Sequence, residues 1–197
     1  TINSAAGVAL APNSTVSGQL NLLTDLATGS FTLTMPASGT SAGTADVVGN
    51  VKRTGFVIGT PLSFGNPFNT VRFDAATVTL PTDVTVNLVK TAPANFTAAV
   101  TRTYAITSTG GSGLSATLRL HYNDSELGNN AESALQLWKL IGGNWTPQGQ
   151  TMREASDNWV ELTGVTGFSS WTIASCSVLS SRSLFFNELG GPGRVNL

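Results

Sequence analysis

Charged side chains are scarce in this sequence, at 11% of 197 residues, where a typical globular chain carries about 25%. Ten Lys and Arg face eleven Asp and Glu, for a net charge of −1. No basic face is left to neutralise phosphates, so nucleic acid is excluded as a partner. Long apolar runs are missing too: none approaches the roughly 20 residues of a membrane span. A single cysteine, Cys176, rules out an intramolecular disulfide. With one cysteine and one histidine, His121, no zinc cluster can form. Cys176 could pair between subunits, but the favoured expectation is a small buried hydrophobe. The chain opens at Thr1 without a methionine, as it would after loss of a leader or in a piece of a longer protein.

Catalytic machinery is equally thin. A Ser-His-Asp triad would have to use His121, which strand alternation places opposite Leu120 and Tyr122, on an outer, solvent-facing surface. No G-x-S-x-G elbow accompanies it. Glycosidases need only two carboxylates, but no acid pair falls in an aromatic cleft that the sequence defines. The chain is therefore read as a non-enzyme.

What is abundant is Thr (27 residues), Gly (21), Ser (20) and Asn (15). Thr favours strands, while Gly, Asn and Ser favour turns. Short stretches of alternating apolar residues recur between turn clusters: Phe31, Leu33 and Met35; Val71 and Phe73; Val78 and Leu80; Val84, Val86 and Leu88; Leu114, Ala116, Leu118, Leu120 and Tyr122. No helix longer than about ten residues is expected, because Gly128, Asn129 and Asn130 break the nearest approach to one. The pattern predicts an all-β fold, an antiparallel β-sandwich of jelly-roll or immunoglobulin-like type. Residues 1–50 form an N-terminal strand segment that either adds to the sandwich or makes one or two rungs of a parallel β-solenoid, whose coils recur at this spacing. Residues 51–175 form the sandwich proper and 176–197 a C-terminal tail. Val71, Phe73, Leu80, Val86, Leu118, Leu120, Leu137, Trp171 and Ile173 are the expected core.

Two features carry candidate sites. The loop at residues 123–132 gathers Asp124, Glu126 and Glu132 with three asparagines. Such oxygens could wrap a calcium ion, although the spacing is not that of an EF-hand. The favoured alternative is an ordinary turn, since Asp and Asn hydrogen-bond their own backbone. The four tryptophans all fall between residues 138 and 171. Trp138 and Trp171 are in register with apolar neighbours and are expected in the core. Trp145 and Trp159 flank turns and could stack on a glycan, with cross-strand packing the favoured reading. Four N-x-Ser/Thr sequons, at Asn13, Asn95, Asn123 and Asn144, are as many as this Ser- and Thr-rich composition gives by chance.

The stretch LHYNDSELGNNAESALQLWKL, then GNW, then DNWVELTGVTGFSSWTIA resembles a β-sandwich module of bacterial secreted and cell-surface, adhesin-like proteins. With the upstream TADVVGNVKRTG the likeness covers roughly residues 41–175. It implies an extracellular or cell-surface location and a role in scaffolding or adhesion. The closing strand is also similar to self-cleaving β-sandwich domains of ankyrin-type proteins, which cut at His-Phe-Ser. Here the matching positions are Gly167, Phe168 and Ser169, and without the histidine no self-cleavage is expected.

The tail is the strongest pointer to assembly. Leu184, Phe185, Phe186 and Leu189 form an apolar segment ahead of Gly190, Gly191, Pro192 and Gly193. Left in water, such a segment is an aggregation hazard. It can fold back as an extra strand, or complete a neighbour's sheet, as in donor-strand complementation. Repeated head to tail, that contact builds a filament. The expected function is a subunit of a homopolymeric, pilus-like extracellular assembly. In that assembly the N-terminal strand around Val8 and Leu10 is the alternative donor. The alternative function is an adhesin or carbohydrate-binding module of a larger cell-surface protein.

Overall fold

The computed structural model describes residues 1–176, and the apolar segment at residues 184–189 lies outside them. Sixteen strands and two short 3₁₀ turns make up the described part, with no α-helix among the described residues. The strands are β1 (Val8–Ala9), β2 (Ser14–Thr15), β3 (Gln19–Leu22), β4 (Leu26–Met35), β5 (Thr40–Gly43), β6 (Val47–Thr54), β7 (Leu62–Phe64) and β8 (Asn66–Phe73). They continue with β9 (Asp83–Val89), β10 (Thr103–Thr109), β11 (Ala116–His121), β12 (Leu135–Ile141), β13 (Asn144–Gly149), β14 (Met152–Glu154), β15 (Trp159–Val165) and β16 (Ser170–Ser175).

The chain is all-β, as its composition predicts. One large sheet has the order β1-β4-β6-β9-β10-β16-β12-β13, with β2 beside β4. A five-stranded sheet, β14-β15-β11-β8-β7, packs against it. Alternate residues of both inner faces meet in the core: Val84, Val86 and Leu88 from β9, Tyr104 and Ile106 from β10, Val71 and Phe73 from β8, Leu118 and Leu120 from β11. Eight of the nine expected core residues are buried, and Leu80 is half-buried against the same cluster. Trp138 and Trp171 are each 1% exposed.

The N-terminal region is built differently from the rest. β1, β4 and β6 run parallel, as do β3 and β5. Partners lie 18–21 residues apart in sequence, the pitch of a β-solenoid coil. β6 then pairs antiparallel with β9 on its other edge, so two stacked coils run without a break into the sandwich sheet. Solenoids usually need three or more coils to be stable; here the sandwich supplies the remaining ladder. Gly49 permits the close stacking. Its φ is +109°, and a Cβ there would stand 2.0 Å from Thr28 Oγ1, which accepts the Asn50 N–H at 2.8 Å.

Three expectations are corrected. Val78 is 77% exposed, because β8 stops at Phe73 and a turn follows in which the Thr77 N–H donates to the Asp74 carbonyl at 2.9 Å. Cys176 is exposed, one residue past the end of β16. His121 is 6% exposed rather than solvent-facing. β11 is an interior strand, and at its end Phe68 stacks on the imidazole at 6.0 Å between centroids.

Candidate functional site

The densest polar cluster lies where the coils meet the sandwich. Asp46, in the residue before β6, and Arg102, in the residue before β10, have fully buried side chains. Arg102 Nη2 donates to Asp46 Oδ2 at 2.7 Å and Nη1 to Oδ1 at 3.1 Å, a bidentate pair. Arg102 Nε donates to Glu126 Oε2. The Tyr104 hydroxyl donates to the His121 carbonyl and accepts from Arg102 Nη1 at 3.2 Å. Lys90, just past β9, reaches Asp46 Oδ2 at 2.9 Å and Asp25 Oδ2 at 2.6 Å. Thus Asp25 of the coils is bound to Lys90 of the sandwich, and Asp46 to Lys90 and Arg102, while Glu126 holds Arg102 from the other side. Adjacent β-strand ends place these groups together, since β6, β9 and β10 are neighbours in one sheet.

Electrostatics fixes the charge state. Burial alone would raise the Asp46 carboxyl, but His121, Arg102 and Lys90 outweigh it and hold it well below the usual carboxylate range. Of these, Arg102 and Lys90 contact the carboxylate directly, whereas His121 Nδ1 stands 3.7 Å from Asp46 Oδ1. Burial pushes the Tyr104 phenol up, so it remains a neutral donor. The cluster is an ion network with its hydrogen-bonding capacity turned inward. It fastens segments rather than presenting a reactive group.

The loop predicted as a calcium candidate has its carboxylates committed elsewhere. Asp124 accepts from Asn158 Nδ2 at 2.8 Å, Glu126 from Arg102 and from the Asn123 N–H at 2.8 Å, and Glu132 from the Tyr122 hydroxyl at 2.8 Å. Among the described residues no three acidic, His or Cys groups converge as metal ligands. The two tryptophans proposed for a glycan also have protein partners. Trp159 is 6% exposed, with the Arg119 guanidinium 3.8 Å from its ring centroid, so that face is not free to stack. Trp145 is half-buried, donates Nε1–H to Asn95 Oδ1 at 2.7 Å and lies 6.3 Å from the Phe96 ring. Ser169, in the position aligned with self-cleaving domains, donates its hydroxyl to the Leu140 carbonyl at 2.7 Å. Val8 sits in β1, already paired with β4 of its own chain.

Sequence reasoning missed Asp46, Arg102 and Lys90. Their one visible signal is isolation: a lone charge in TADVV and in AAVTRTY, in a chain that has few. No family model, curated protein or solved structure matches this chain.

Proposed function

We propose that this chain is a structural module of an extracellular or cell-surface assembly, not an enzyme, and that it joins copies of itself into a polymer through the apolar segment at residues 184–189. One observation carries the reading: the coils and the sandwich share one continuous sheet, clamped at its seam by the Asp46–Arg102 pair. The charged side chains of the seam are paired with one another. The Thr-, Ser- and Asn-rich, charge-poor composition suits an exported all-β chain. Donation of the tail strand to a neighbour's sheet edge supplies the connection. Among the described residues no helix is long and apolar enough to cross a membrane.

Electron microscopy of the purified full-length chain and of a variant lacking residues 181–197 tests this. Filaments from the full chain and dispersed particles from the shortened one are expected. A full chain that stays monomeric at high concentration would contradict the polymer. A shortened chain that still polymerises would contradict the tail as connector.

A further inference from the structure

Among the described residues the first coil is an open ladder edge: β1 and β2 each pair with β4, on one side only. The Leu10 N–H donates to the Ala27 carbonyl at 2.9 Å and the Val16 N–H to the Thr34 carbonyl at 2.9 Å. By strand alternation the N–H and C=O groups of Ala9 and Thr15 therefore point out of the ladder. The side chains show the same incompleteness. Ile2 lies beside Leu22, Val8 beside Leu26, and Val16, one residue past the Thr15–Thr34 pair, beside Met35. Leu22, Leu26 and Met35 are 0–2% exposed, whereas Ile2, Val8 and Val16 are only half-buried. Each apolar column of the coil interior thus stops one layer short of full burial.

We infer that this edge is the docking surface for one further β-solenoid coil of 18–21 residues, running parallel to β1 and placing an apolar residue over each of Ile2, Val8 and Val16. The occupant follows from continuity. The contact between the first and second coils is already repeated between β4 and β6 at the same pitch, and the open edge presents the same surface again. A parallel coil satisfies the outward groups of Ala9 and Thr15 and covers three half-buried side chains at once. An isolated antiparallel strand would satisfy the backbone but would not continue the coil interior. The inference rests on ladder geometry and is independent of the proposed polymer.

The test fuses a copy of residues 22–41 ahead of Thr1 in the full chain, which sets the copied Leu22 over Ile2 at high effective concentration. Amide exchange at Ala9 and Thr15 is then compared with the unfused chain. The expected result is slower exchange by about tenfold, the factor one net hydrogen bond supplies. Ala9→Pro in the fused chain removes only an outward donor and should return Thr15 towards its unfused rate. Unchanged exchange at both amides, in a fused chain whose β9 and β10 amides remain protected, would overturn the inference. So would protection of the same amides in the unfused chain that rises with protein concentration, which would put a second copy on the edge.

Discussion

Arg102 binds two carboxylates, Asp46 and Glu126, while its own side chain is wholly buried. Removing one member of such a pair leaves an uncompensated charge in the interior. Arg102→Met is expected to cost about 3–5 kcal/mol, read as a lower urea midpoint; an unmoved midpoint would show the pair to be idle. The pH dependence follows from Asp46, whose folded carboxyl is held below its unfolded value. The stability it contributes is complete above about pH 4, near the unfolded pKa, and is lost as pH falls from there towards the folded pKa. Thermal scans should show Asp46→Asn destabilised at pH 7 and its deficit shrinking as the pH drops below 4. A deficit that stays constant with pH would contradict this. Arg53 is the opposite case. It is 1% exposed, burial pulls its guanidinium down to about 10, and among the described residues Nε and Nη1 have no partner while Nη2 donates to the Gly39 carbonyl at 2.8 Å. Arg53→Met should be neutral or stabilising by about 1–2 kcal/mol, and a loss above that size would mean that the guanidinium is better satisfied than its contacts indicate. At this scale little was legible. Burial of a charge depends on a partner 24 or 56 residues away, and alternation alone sent His121 to the wrong environment.

The elements were more legible where local chemistry decides them. Gly142 and Gly143 both have positive φ and form the two-residue turn that closes the β12–β13 hairpin, and Asn158, at φ 54°, ends the four-residue turn between β14 and β15. The parallel direction of β1, β4 and β6 was only one of two readings, because alternation within a strand is the same in either direction and the two coils share a pitch without sharing a sequence. Gly49 is a demanding backbone position of this region. Gly49→Ala adds a side chain at φ +109° against Thr28 and disturbs the Thr28–Asn50 bond. The combined strain and overpacking should cost about 2–4 kcal/mol, measured by denaturant unfolding; a cost under about 0.5 kcal/mol, within the range of neutral surface changes, would contradict the stacking described. Trp171, 1% exposed in β16 between β10 and β12, should lose about 3–5 kcal/mol on truncation to Ala.

At the scale of the molecule, the coils and the sandwich are one body because β6 is shared. It pairs with β4 on one side and β9 on the other, and it crosses residue 50, where the N-terminal strand segment was expected to end. The Asp46–Arg102 and Asp25–Lys90 pairs tie the same two parts at the strand ends. A module fastened in this way should unfold as a unit rather than shed its N-terminal coils first. Native-state amide exchange of the full chain measures this most directly. The account predicts that the slowest amides of β4 and β6 open with the same free energy, and the same denaturant dependence, as those of β9, β10 and β16. A set of β4 and β6 amides that opens separately, at clearly lower free energy, would contradict it.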